Sequence, residues 1–416
     1  MAESNYGESL NEFKKEPRRT IHSFHRYFGK LIPGIPAFAI ETFTKPGETV
    51  LDPFSGSGTS VVEARERGRF GIGIDLNPLA SFVAKVKTTP IDESKLKTTL
   101  SDLVANFSLT THSKELKDPY VVNLDHWFRE EVKTELLVLK SLIKSIPEID
   151  VRDFYLAVFS AFIRGVSNAD PQHVFPGYSK RMRALDEAGR TIDVEKAFIR
   201  AAKKRIQQNS LLSQNQLPVK LINGDLRGAD LKPNSVDLVV TNPPYISSIR
   251  YLETMKIEMG WLDFLDSQAE YLELDKSVIG TERFYKEDLL EIELTGFEEI
   301  DKQVDLLRTT NKKMAKTVSK YFIDMNGVFA KLGTVVKANG YLVIKISDSK
   351  VRTELIATHK HFIEICESYG FSLVEDIIDQ FDPNSRSLLT ARNTYSGIMT
   401  FDHVLILKKN DKKTRI

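Results

Sequence analysis

A strongly apolar run, Val236 to Val240, leads directly into Thr241-Asn242-Pro243-Pro244-Tyr245. A run of that length and composition reads as a buried strand of a parallel sheet. The two prolines that follow stop the strand and stiffen the loop, because each fixes its own φ and drives the preceding residue toward extended geometry. An amide, a rigid turn and an aromatic therefore sit together at a strand exit. A planar base amino group has two N–H donors. The Asn242 carbonyl oxygen and the Pro243 carbonyl offer two acceptors, and Tyr245 offers a face on which a base stacks. The loop reads as one built to hold the exocyclic amine of a nucleobase.

A second constellation lies upstream. Val50-Leu51-Asp52-Pro53-Phe54-Ser55-Gly56-Ser57-Gly58-Thr59 runs from a short strand into a glycine turn, with a helix expected over 60–67. Phe70 to Asp75 is a second strand ending in a carboxylate. Glycines let backbone approach a ligand, and an acid at the next strand tip can bind ribose hydroxyls. The third glycine of a G-x-G-x-x-G pattern is missing: Val61 stands there. Alone, the turn is compatible with dinucleotide binding. Joined to the Asn-Pro-Pro-Tyr loop on a later strand, it becomes a strong signal.

At these residues the chain resembles the S-adenosylmethionine-dependent DNA amino-methyltransferases, which act on adenine N6 or cytosine N4. His25 to Pro33 resembles the family's motif before the glycine loop, and Asp52 to Thr59 its cofactor loop. Asp75 resembles its ribose-binding acid, Asp225 the acid near the cofactor's adenine, and Asn242 to Tyr245 its catalytic loop. The resemblance spans roughly residues 20–90 and 218–410. It implies a Rossmann-like α/β sheet with helices on both faces. Cofactor contacts are then expected from Tyr27, Lys30, Asp52, Phe54, Ser55, Gly56, Gly58, Thr59, Asp75, Asn77 and Asp225, and catalysis from Asn242, Pro243, Pro244 and Tyr245. It also implies double-stranded DNA as substrate, base flipping, and a cognate restriction endonuclease as a partner to look for. Asn at the head of the loop favours adenine N6 over cytosine N4. An RNA or protein-glutamine methyltransferase carrying the same loops is the alternative.

Each residue has a plainer reading as well. Asp75 could cap a helix, Asp225 could be a turn carboxylate, and Asp52 could simply hold its loop. Tyr27 and Lys30 could be ordinary surface. Between Pro176 and Ile206 there are nine Lys and Arg against four Asp and Glu. That excess is either a solvated helix face or a phosphate-contacting one, with Lys180, Arg181 and Arg183 at its start. Arg250, just past the catalytic loop, is a further phosphate contact to test. Arg392 and Asn393 read as a polar loop open to DNA.

Composition sets outer bounds. The net charge is +1, so any nucleic-acid surface must be a local patch. Cys366 is the one cysteine and falls in an apolar helical pattern, which leaves no nucleophile for cytosine C5 chemistry and no cysteine metal site. His359 and His361 read as helix-surface residues, His22 and His25 lack acidic or cysteine partners at ligand spacing, and no metal is expected. There is no run of 18 apolar residues, and a cytoplasmic protein is expected. The chain divides into a mobile arm (1–20), a first methyltransferase segment (21–90), a helical insertion suited to target recognition (91–216) and a second methyltransferase segment (217–416). Helices are expected at 251–264, 304–337 and 351–369, and an irregular acidic lid at 266–303. The insertion falls between Asp75 and Asp225, and His25 to Pro78 most resembles enzymes whose catalytic loop comes first in sequence, so the chain looks permuted relative to them.

Overall fold

The computed structural model describes residues 5–109, 116–214, 216–246, 250–351, 354–380 and 401–411. Arg392 and Asn393 lie outside them. Helices α1 (Tyr6–Lys15) and α2 (Gly34–Phe43) precede strand β1 (Thr49–Asp52), α3 (Thr59–Glu66), β2 (Phe70–Asp75) and α4 (Pro78–Lys87). Six helices follow: α5 (Glu93–Leu109), α6 (Leu124–Trp127), α7 (Glu130–Lys144), α8 (Ile149–Ile163), α9 (Lys180–Glu187) and α10 (Val194–Ser210). The sheet resumes with β3 (Val219–Asn223) and β4 (Val236–Thr241). Then come α11 (Tyr251–Thr254), α12 (Lys256–Trp261), α13 (Gln268–Ser277), α14 (Glu298–Thr310) and α15 (Lys312–Val335). Strand β5 (Val336–Ile346), a small hairpin of β6 (Ser349–Val351) and β7 (Glu354–Ile356), α16 (Thr358–Ser368), β8 (Phe371–Gln380) and β9 (Phe401–Lys409) complete the chain.

The main sheet has the order β3-β2-β1-β4-β5-β9-β8, with β9 the antiparallel strand among parallel neighbours. Its residues alternate between two cores, as the two-residue period of a strand requires. Val50, Leu238, Val240 and Val343 face α1 and α2, whereas Leu51, Val239, Leu342 and Ile344 face α15 and α16. The strands are therefore buried on both sides, which accounts for the apolar runs. The helices between β2 and β3 build a further core around Phe154, Tyr155, Phe159 and Trp261, continuous with Val62 and Val86 of α3 and α4.

Several expectations need correction. Residues 6–15 of the expected mobile arm form an ordered helix. Leu10 is 1% exposed, and Tyr6 and Phe13 meet the Phe38 ring edge-on at 6.3 and 6.1 Å. The expected lid at 266–303 contains α13 and the start of α14. The helix expected over 304–337 is two helices, broken at Asn311, whose side chain accepts from Met314 N and caps the second. The helix expected over 351–369 begins only at Thr358, because β6 and β7 precede it.

Candidate functional site

Strand order reverses between β1 and β4, which run side by side with Val50 opposite Leu238 and Leu51 opposite Val239. In open parallel sheets the crevice at such a switch point is where ligands bind. The glycine turn leaves β1 there and the Asn-Pro-Pro-Tyr loop leaves β4. Asp75 closes β2 and Asp225 follows β3, so four separate stretches of chain converge on one edge. A cavity at this edge is lined by Tyr27, Lys30, Asp52, Phe54, Ser55, Gly56, Thr59, Asp75, Asn77, Asp225, Asn242 and Pro244. Gly58 and Pro243, expected there too, are not among its walls. Gly58 instead starts α3 with φ +79° and packs its Cα against Ala84 of α4.

The acids differ in what holds them. Asp52 is buried, accepting from Phe54 N (3.1 Å), Ser60 Oγ (2.6 Å) and Thr241 Oγ1 (2.7 Å). It thus ties the glycine loop to the residue before Asn242. Burial pushes its carboxyl up to about 6 against these hydrogen bonds. Asp75 accepts from Gly56 N (2.8 Å) and Asn77 N (2.9 Å), and burial again outweighs the amides and raises it to about 6. Burial also acts upward on Asp225, but Arg227 grips both its oxygens (2.7–3.1 Å) and holds it below the usual carboxylate range.

Around them, Lys30 donates to the His22 and His25 carbonyls at 2.8 and 2.7 Å, and burial lowers its ammonium to about 8. Asn77 lines the cavity while its Oδ1 caps α4 by accepting from Leu79 N. The Tyr27 ring lies over Gly56, where a Cβ would come within 2.9 Å of it, and stacks at 6.4 Å on Tyr251. Among the described residues the hydroxyls of Ser55 and Ser57 are buried without a hydrogen-bond partner, and both residues face the cavity. Unsatisfied buried hydroxyls are costly unless a ligand pairs with them. They fit a polar cofactor such as S-adenosylmethionine, whose ribose and amino-acid ends carry complementary groups.

The loop after β4 is oriented by its neighbours. Asn242 Nδ2 donates to the Gly29 carbonyl (3.1 Å), which turns Oδ1 the other way, where Tyr245 Oη donates to it (3.0 Å). The amide therefore presents its acceptor, as the reading of an amine-holding loop requires. Tyr245 and Arg250 line a second cavity with Phe175, Glu253, Asp275 and Thr281. This cavity shares Pro244, Tyr251, Leu252, Val278 and Ile279 with the first, so the two meet at the Asn-Pro-Pro-Tyr loop. Val278 and Ile279, just after α13, and Phe175, from the helical insertion, carry no local sequence signal.

The basic segment is partly committed elsewhere. Arg181 binds both oxygens of the buried Asp170 (2.5 and 3.1 Å), and its hydrogen bonds hold that carboxylate well below the usual range. The Arg183 guanidinium lies 5.3 Å from the Tyr178 ring centroid, and Lys180 is exposed. This segment begins five residues after Phe175 in the wall of the second cavity. The histidines also differ from expectation. His361 is 5% exposed, and His359 stacks on His403 at 3.7 Å with rings 7° apart, each bonded to its own carboxylate, Asp348 and Asp376. One ligand atom from each of Asp348, His359 and His403 lies within 4.8 Å of the others, so the three could hold a metal ion, a grouping that spacing along the chain did not show. Among the described residues no helix is long and apolar enough to cross a membrane.

The family model described as DNA methylase matches residues 10–85. The chain is 28% identical to the Type II methyltransferase M.MvaI of Kocuria varians, over 97% of this chain and 94% of that protein. It is 22% identical to the Type II methyltransferase M.BsoBI of Geobacillus stearothermophilus, over 89% and 82%. A solved S-adenosylmethionine-dependent methyltransferase from Methanosarcina mazei aligns with a TM-score of 0.32 at 10% identity, covering 89% of this chain and 96% of its own. The chain is thus similar to Type II methyltransferases over most of its length, and its residues 10–85 match a DNA methylase model.

Proposed function

We propose that the first cavity holds S-adenosylmethionine and that the second receives a base flipped out of duplex DNA, whose exocyclic amine meets the methyl donor at Asn242 and Pro244. The meeting of the two cavities at that loop carries this reading. The bound cofactor supplies an electrophilic methyl on a sulfonium. The chain's own contribution is positioning. Asn242 Oδ1, with the Pro243 carbonyl, accepts the amine hydrogens and turns the nitrogen lone pair away from the ring and toward the methyl. When the amine arrives, Tyr245 gives up its hydrogen bond to Asn242 and covers one face of the base. Asp75 accepts the ribose hydroxyls, Asp225 meets the adenine side, and Lys30 lies near the amino-acid end.

A base inside a duplex cannot reach such a pocket, so flipping is required. Arg250, Lys180 and Arg183 are the cations this reading directs at phosphates. The helical insertion is the target-reading region, since it supplies both Phe175 and the basic segment. A restriction endonuclease with the same recognition sequence is the partner implied.

Unmethylated genomic DNA, incubated with the protein and labelled cofactor and then digested to nucleosides, tests the reading by mass spectrometry. Labelled N6-methyladenine or N4-methylcytosine supports it and identifies the base. Label in RNA or protein alone overturns it. Asn242→Ala should lose transfer by more than about a hundredfold, with cofactor affinity within about twofold of the parent.

A further inference from the structure

Tyr321 lies in the middle of α15, 77 positions beyond the catalytic loop, and carries no sequence signal for the site. Its hydroxyl donates to the Pro244 carbonyl at 2.9 Å. The side chain is fully buried, its ring stacked on Phe362 (6.2 Å, 12°) and edge-on to Phe322 (5.1 Å). Gly280 closes the same side: a Cβ there would lie 3.2 Å from the Tyr245 carbonyl and 3.6 Å from the Tyr321 ring. The loop is thus tied at three points: Thr241 to Asp52, Asn242 to Gly29, and Pro244 to Tyr321. The first two anchor its start. Tyr321 anchors the half on which both cavities share a wall.

We infer that Tyr321 is a positioning residue for methyl transfer, fixing the peptide after Pro244 so that Asn242, Pro243 and Tyr245 keep the geometry the target amine needs. This rests on the assignment of Asn242 to Tyr245 as the catalytic loop. The mechanism is geometric. A proline pair leaves few free torsions, so holding the second carbonyl fixes the frame of the whole loop. Because burial pushes the phenol up, it stays a neutral donor over the working pH range.

The test uses the full chain and compares Tyr321→Phe with Phe362→Leu. The first removes only the hydroxyl, and the second loosens the ring while leaving the hydroxyl. Tyr321→Phe should lower kcat for labelled-methyl transfer to genomic DNA by about tenfold or more, with KM for S-adenosylmethionine within twofold. In hydrogen-exchange mass spectrometry, peptides spanning 238–252 should exchange faster. Phe362→Leu should lower Tm more than Tyr321→Phe does while keeping kcat within about threefold, which a merely structural role would not produce. A Tyr321→Phe protein with kcat within twofold of the parent, or with unchanged loop exchange, overturns the inference. If the parent itself transfers no label to DNA, the functional reading fails, and the exchange measurement alone decides the role of Tyr321.

Discussion

Asp75→Asn separates two roles that one carboxylate performs. In the structure each oxygen accepts a backbone N–H, from Gly56 and from Asn77. Asparagine keeps one acceptor and turns an NH2 toward the other amide, leaving one buried donor facing another. An unsatisfied buried group of this kind costs about 1–3 kcal/mol. The same acceptor is the one offered to the ribose hydroxyls, so cofactor affinity should fall roughly 5- to 150-fold, the equivalent of that range.

The pH dependence supplies a second readout. Burial raises the Asp75 carboxyl to about 6 in the ligand-free protein. The ionised form is the one that accepts from both ribose hydroxyls, so affinity is full above that pH and declines as pH falls through it. At pH 5 about a tenth of the carboxyl is ionised, and affinity should be about tenfold weaker than at pH 7. The stability contribution runs the other way. The native value lies above the unfolded one, so it is fully present below about 4 and is lost as pH rises through 6. Asp52 rises to the same value and burial lowers Lys30 to about 8, which makes Asp75→Asn the necessary control: slope that survives in it near pH 6 belongs to Asp52, and slope toward pH 8 to Lys30. Equilibrium dialysis with labelled cofactor from pH 5 to 8 measures both effects. An Asp75→Asn protein that binds within twofold of the parent and keeps the full slope would refute the ribose assignment.

Further outcomes follow from packing and charge. Gly58→Ala should destabilise the fold by about 1–3 kcal/mol, because φ is +79° and the new Cβ would meet Ala84 at 2.7 Å; Tm by calorimetry checks it. Neutralising Lys180 and Arg183 together should weaken DNA binding and reduce the slope of log K against log salt by about 2. An unchanged slope would move the DNA face away from α9. Arg181→Ala should instead lower Tm, since it strips the buried Asp170 of its main partner.

Much of this site is written in local chemistry. Each expected ligand except Gly58 and Pro243 lies at a cavity wall, because strand-end punctuation by Gly, Pro, Asn and Asp is a short-range signal. The absent third glycine is a useful case: Val61 occupies its place, and β2 makes room with Gly71 and Gly73, whose added Cβ atoms would lie 3.3 and 3.1 Å from Val61. The arm, lid and late-helix readings failed for the opposite reason. Polar composition suggested a mobile arm at 1–20 and an irregular lid at 266–303, yet a few buried side chains, such as Leu10 and Tyr271, suffice to fix a helix against the core.

The sequence by itself determined which residues end strands and which chemistry those ends carry, because φ restriction, side-chain period and hydrogen-bonding groups are properties of neighbouring residues. Only the tertiary structure decided that β1 and β4 lie side by side, that Phe175 and Ile279 wall the second cavity, and that Tyr321 holds the Pro244 carbonyl. Those contacts join residues tens to hundreds of positions apart. They form when apolar faces with no individual preference for one another pack together, and no local pattern records the pairing.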